Sequence, residues 1–224
     1  MEPFFQPDRL WPTGHRQVQL LIIPDLGANP GFADFVTGCR SVMAGHPGTT
    51  EPVPDASLHL TVQSIGFPGR DRIETATRTR LITALEYTLA TVPAFDLLMG
   101  SALVGHGGVV ADTHPDDGFN RLLDRVRPVI ADVCGPGTIV YDSRPAHMAL
   151  CYAGDHGSSD DLQRRLRHDV RPGHARLTVR AVDLVETIQV PHRCRYDSTV
   201  LRRFPLATRP ERGVPAGIGQ VASA

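Results

Sequence analysis

The chain predicts an α+β fold whose sheets are antiparallel or mixed and carry their helices on the outer faces. Three observations predict it. The apolar patterns follow the order β-α-β-α-β-β-α-β-α-β-β, with no sustained βαβα run of the kind a doubly wound sheet requires. That order divides into two halves of similar plan. Each half contains one strand with a histidine on its polar face and a helix directly after it.

Taken in order, "QVQLLIIPD" (17–25) is a β-rich apolar run closed by a Pro-Asp turn signal. Residues 31–44 place Phe32, Phe35, Val36, Cys39 and Met43 at helical spacing. After a Pro- and Gly-rich loop, "SLHLTVQSIG" (57–66) alternates Leu58, Leu60 and Val62 with His59, Thr61 and Gln63, the pattern of a half-buried strand. Residues 71–92 form an amphipathic helix burying Ile73, Leu81, Leu85 and Leu89, stopped by Pro93. "FDLLMGSALV" and "GVVADTH" are two strands joined by the turn "GHGG". Residues 115–135 start with Pro and acidic residues and end at Gly135, which marks both ends of a helix, with Pro128 expected to kink or divide it. "RPAHMALCYAG" (144–154) is a further strand, and "SSDDLQRRLRHDV" a short helix capped by Ser158 or Ser159. Residues 174–190 and 196–206 close the ordered part as one strand each, and the Gly/Ala/Pro-rich residues 209–224 are expected to be a flexible tail.

Composition narrows the chemistry. A formal net charge of −1 argues against a broad non-specific nucleic-acid surface. All 23 basic residues are arginine, so Schiff-base lysine chemistry and a P-loop lysine are both excluded. The four cysteines form no CxxC pair, and no HxH or HxxxH spacing occurs, so neither a zinc site nor any other metal or cofactor is expected. "GHGG" is not accompanied by a GxSxG nucleophile elbow and reads as a hairpin turn. The arginine cluster in 162–176 reads as a solvated helix face. The first 17 residues lack a basic start followed by an apolar core, and no run is long enough to span a bilayer; a cytoplasmic, membrane-free protein, monomeric, is expected.

The two histidine strands carry the functional reading. "LHLTVQSIG" and "AHMALCYAG" both place His before an apolar residue and a small residue, and both end in Gly. His59 and His147 are far apart in the chain and meet only if the two halves face one another. A second formal H-x-S match, His156-Gly157-Ser158, lies in a turn-and-cap segment without alternation and is set aside.

On these residues the chain resembles the 2H phosphoesterase superfamily, most closely its 2′-5′ RNA ligase (LigT-like) and cyclic phosphodiesterase branch, over about residues 15–206. The resemblance implies one domain over 1–208 made of two pseudo-symmetric lobes, with one H-x-[T/S] motif from each lobe facing a central groove. Carried over, His59 with Thr61 is the first motif and His147 the second. The implied activity is metal-independent cleavage of a 2′,3′-cyclic phosphate or a 2′-5′ bond, in an RNA end or a small nucleotide, with 2′-5′ ligation as the reverse reaction. One neutral imidazole takes a proton from water while a protonated one gives a proton to the leaving oxygen, a pairing suited to a group titrating near neutral pH. His147 is assigned as base and His59 as acid. The resemblance lends Tyr152 a place near the substrate, although strict alternation turns it away from His147 and into the core. Gln63 has the parity to touch a nucleotide. The chain departs from the pattern at Ala149, which stands where the second motif has Thr or Ser and has no hydroxyl for phosphate. The alternative reading is a catalytically weakened nucleotide- or RNA-binding protein that keeps the groove.

Overall fold

The computed structural model of the protein describes residues 1–66 and 73–208. The expected tail at 209–224 and the start of the 71–92 helix fall outside those residues. The strands are β1 (Gln17–Ile22), β2 (Thr50–Pro52), β3 (Leu60–Ile65), β4 (Phe95–Gly105), β5 (Gly108–Thr113), β6 (His147–Ala153), β7 (Ala175–Val179), β8 (Ala181–Val190) and β9 (Arg195–Pro205). The helices are α1 (Pro30–Met43), α2 (Thr75–Leu89), α3 (Asp117–Cys134) and α4 (Ser159–Asp169).

All nine strands belong to one sheet of order β7-β4-β5-β6-β3-β1-β8-β9, with β2 paired to β6 off this path. Every strand pair is antiparallel. The two histidine strands, β6 and β3, lie side by side at the middle and share the single register pair Leu60↔Met148. Four strands extend on either side of that seam. The fold is therefore α+β with a curled antiparallel sheet, as expected.

The curl explains one correction. Residues 174–190 form two strands rather than one, because β7 pairs with β4 at one end of the sheet and β8 pairs with β1 and β9 near the other. Consecutive strands reach opposite ends of a sheet only if it bends round, and Ala94 and Ala207 are in fact hydrogen-bonded across that return, N to O at 2.8 Å. The alternation of Ala175, Leu177, Val179 and Ala181 runs unbroken through Arg180, so the change of partner leaves no mark on the pattern.

Each helix turns an apolar stripe to the same face of the sheet. In α1, with Pro30 at its first turn, Phe32, Phe35, Val36, Cys39 and Met43 are buried; in α2, Leu81, Leu85 and Leu89; in α3, Phe119, Leu122, Leu123, Val126 and Ile130; in α4, Leu162 and Leu166. Helices α1 and α4 pack on the half holding β4, β6 and β7, while α2 and α3 pack on β9 and β3. Ser158 caps α4, its Oγ accepting from the Asp160 N–H at 3.4 Å. Pro128 does not divide α3. Pro128 and Asp124, whose carbonyl it leaves without an N–H, are both exposed, and water can take up the unused acceptor. With the helices on one face, the other face of the curled sheet is left to form the groove.

Candidate active site

Leu60 and Met148 are fully buried on the helix-covered face, so their chain neighbours project into the groove. Counting outward from that pair in an antiparallel register sets His59 across from Ala149 and Thr61 across from His147. A local two-fold relation thus passes through the seam and places the histidines diagonally to one another. His59, Thr61, His147, Ala149 and Tyr152 border one cavity of ≈ 480 Å³. His59 is half-buried and His147 exposed.

Both imidazoles are held the same way. His59 Nδ1 lies 2.8 Å from the Ser57 carbonyl and His147 Nδ1 3.0 Å from the Pro145 carbonyl, each two residues upstream. A carbonyl only accepts, so Nδ1 carries the hydrogen in both rings, and Nε2 is the nitrogen free to exchange a proton. Desolvation pushes His59 below the ordinary histidine value, against the carbonyl of Ser57, which favours the charged form; a nearby charge on His147 lowers it further.

Two bulges decide which other side chains reach the groove. In the β1–β3 pairing, Leu20 faces Gln63 and Leu21 faces Thr61, so Val62 is an extra residue. In the β5–β6 pairing, Val109 faces Cys151 and Val110 faces Ala149, so Leu150 is extra. Each bulge falls three residues after its histidine, another mark of the internal two-fold. An extra residue reverses the parity of everything beyond it. The bulged carbonyls are both satisfied: Ser143 Oγ donates to Val62 O at 2.5 Å, and the Val53 N–H donates to Leu150 O at 2.9 Å. Just beyond the second bulge, paired with Tyr152, sits Gly108, at φ +153°, where a Cβ would collide with the Cys151 carbonyl.

Gln63 is consequently a correction. It does not border the cavity; it is wholly buried, giving Nε2 to the Tyr141 and Ser64 carbonyls, each at 2.9 Å, and accepting from Arg127 Nε at 2.8 Å. Ser64 takes the groove position instead, its Oγ accepting from Gln19 Nε2 at 2.9 Å. Gln63 and Ser143 tie β3 to the segment leading into β6, where the sheet itself supplies one register pair. Replacing Gln63 with Leu is expected to lower stability by about 1–3 kcal/mol, since it strands buried polar groups. A urea midpoint unchanged from the parent would refute this role.

The same logic moves Tyr152 the other way. Strict alternation sends it into the core, but the Leu150 bulge turns it to the groove side, where it borders the cavity with its hydroxyl unbonded among the described residues. Burial pushes its phenol far above the ordinary tyrosine value, so it is a donor at neutral pH. Cys151 borders the cavity too, but burial pushes its thiol up to about 12, and it lies near Cys39 under α1. It is no substitute for the hydroxyl missing at Ala149.

The remaining wall is aromatic and was missed. Phe4, Trp11, Tyr141 and Tyr196 border the cavity, with His106 of the β4–β5 turn. Phe4 and Tyr152 have ring centroids 4.6 Å apart, Tyr152 and Tyr196 5.7 Å, and Trp11 and Tyr196 5.4 Å. The aromatic density of residues 4–11 was the available signal, but nothing in the sequence said where that segment lies. The arginines of α4 do not border this cavity; Arg164 and Arg165 pair with Asp161 and Asp169. Among the described residues no cluster of three or more His, Cys, Asp or Glu could hold a metal ion, and no helix is long and apolar enough to cross a membrane.

A curled antiparallel sheet with four helices is the fold of the LigT-like 2H phosphoesterases, and the chain has that fold. Among solved structures it is similar to TT0787 of Thermus thermophilus (TM-score 0.64, 16% identity, covering 86% of this chain and 98% of that one). It is also similar to E. coli LigT complexed with NADP+ (0.58, 18%, 86% and 98%) and to the MHV ns2 PDE domain (0.51, 10%, 76% and 98%). LigT has also been solved with 3′-AMP. No protein-family model and no curated protein sequence matches the chain.

Proposed function

We propose that the protein is a two-histidine phosphodiesterase that opens a 2′,3′-cyclic phosphate or cleaves a 2′-5′ bond in an RNA end or small nucleotide, without a metal or cofactor. The observation that carries this reading is the matched pair of imidazoles in one cavity, each fixed through Nδ1 so that Nε2 is free. The neighbours' phosphoesterase fold and the nucleotides in the LigT structures support it.

The proton roles are the reverse of the initial assignment. His59, whose charged form is disfavoured by desolvation, is neutral near pH 7 and acts as base through Nε2. It takes a proton from water as the water oxygen bonds to phosphorus. His147 is the acid, and its protonated form gives a proton to the ribose oxygen as the P–O bond breaks. One proton is taken and one given, so the next turnover needs only exchange with solvent. Thr61 Oγ donates to a non-bridging oxygen, where negative charge must be held. The phenol of Tyr152 is the donor the opposite wall retains in place of a hydroxyl at residue 149.

The test is turnover of the four nucleoside 2′,3′-cyclic phosphates and a 2′-5′ dinucleotide by the purified protein in chelator, followed by chromatography. Monophosphate product is expected, and a His59→Ala/His147→Ala double variant is expected to yield none. Equal product from both proteins would overturn the proposal. Nucleotide binding without turnover would replace it with the binding-protein reading, which Ala149 favours.

A further inference from the structure

The two ends of the groove differ. Ser64 and Gln19 give it a polar stretch beside Thr61, while Phe4, Trp11, Tyr152 and Tyr196 give it an aromatic one. Three separate segments meet to make the aromatic end: residues 1–16, the end of β6 and the start of β9. The N-terminal segment is tied to both halves of the sheet. Its Phe4 N–H donates to the Ala153 carbonyl at 2.9 Å, and Glu2 pairs with His106 at 2.7 Å on the β4–β5 turn. On the other side, the Trp11 N–H donates to Gln189 Oε1 of β8 at 2.7 Å, and Gln189 Nε2 reaches the Tyr196 hydroxyl at 3.3 Å. The β8–β9 hairpin also bends over to this point, where Cys194 Sγ meets the Ala153 carbonyl at 3.7 Å. The segment is therefore a strap across one end of the groove.

These rings are not simply core. Phe4, Trp11 and Tyr196 are each half-buried, and they leave open a space beside the histidines. The whole cavity, ≈ 480 Å³, falls within the ~300–1,000 Å³ typical of small-molecule sites. The charge pattern agrees. Among the described residues, no arginine borders the cavity. A groove that follows a nucleic-acid chain needs cations along it as well as stacking rings. Among the described residues, this one offers stacking and a single phosphate centre.

Resting on the proposed phosphodiesterase reading, we propose that the strap makes the aromatic end a nucleobase subsite for one nucleoside. The substrate is then a mononucleotide-sized phosphodiester, not the end of an RNA chain. The base stacks on Trp11 and Tyr196 while its phosphate lies between His59 and His147.

Trp11 is the only tryptophan in the chain, so its fluorescence reports on the subsite independently of turnover. Titration with 3′-AMP is expected to quench it saturably, and inorganic phosphate at the same concentrations is not. A ten-nucleotide RNA with a 3′-phosphate should bind no tighter than 3′-AMP. Its affinity should fall by no more than about threefold between 50 and 200 mM salt, the change for one phosphate contact, against about 10³–10⁵ for a phosphate-tracking groove. Calorimetry should show Tyr196→Ala and Trp11→Ala weakening 3′-AMP by about 5- to 150-fold, the range for lost stacking. Unchanged affinity in both variants, or tighter and salt-sensitive RNA binding, would overturn the subsite. Ribose 2′,3′-cyclic phosphate, which has no base, separates the two claims. Turnover of it with the same kcat/KM as a nucleoside cyclic phosphate sinks the subsite and keeps the phosphodiesterase. Stacking-dependent 3′-AMP binding with no turnover of either substrate keeps the subsite and sinks the phosphodiesterase.

Discussion

Alanine at either His59 or His147 is expected to lower kcat/KM for a 2′,3′-cyclic nucleotide by about 10²–10⁴-fold, the usual contribution of a positioned acid or base. The two losses should not multiply in the double variant, because the imidazoles act in one proton cycle. The pH profile separates their roles. His59 must be neutral to act as base, so activity falls as pH drops through its pKa, and that pKa is depressed by desolvation in the free protein. The acid limb of kcat/KM should therefore lie below pH 6.5, the ordinary value. His147 must be protonated, so the alkaline limb belongs to it. Residual activity in His59→Ala should lack the acid limb, and in His147→Ala the alkaline limb. The opposite pattern would restore the assignment of His147 as base.

The second large effect concerns the hydroxyl that the chain lacks. Ala149 borders the cavity across from His59, in the position that the internal two-fold relates to Thr61. Converting it to Thr or Ser adds a donor facing phosphate. A hydrogen bond to a charged group contributes about 1.5–3 kcal/mol, so turnover should rise by about 10- to 100-fold. The same cycle tests Tyr152. If its phenol serves as the donor on this wall, Tyr152→Phe costs activity in the parent and costs less once Thr is present at 149. A rise in Ala149→Thr with Tyr152→Phe equally harmful in both backgrounds would show that the phenol contributes something else. No rise at all would show that phosphate never approaches this wall.

Much of the fold was legible because its signals are local. The stripe of Phe32, Phe35, Val36 and Cys39 made α1 readable, and the Ser158 cap and the leucines at 162 and 166 did the same for α4. Strand β2 was not legible. It is three residues long, and its pairing partners lie about a hundred positions away on β6. The break at Arg180 was hidden because both strands there bury the same parity of residue while changing neighbours.

The candidate site divides along the same line. His59, Thr61 and His147 come before the bulges, so simple alternation put them on the correct face. Gln63 and Tyr152 come after them, and alternation failed for both, in opposite senses. A bulge is a statement about two strands, set by how the partner's hydrogen bonds and the Ser143 and Val53 donors settle the extra residue.

By itself the sequence determined the class of fold, the two histidine strands and the absence of lysine chemistry, because periodicity, residue type and count are properties of the chain alone. The tertiary structure decided the rest. It joined the two halves at Leu60 and Met148, shifted the parity beyond each histidine, depressed His59 by burying it, and laid the N-terminal rings across one end of the groove. Each of these depends on which distant segments touch, and contact between distant segments has no period to read.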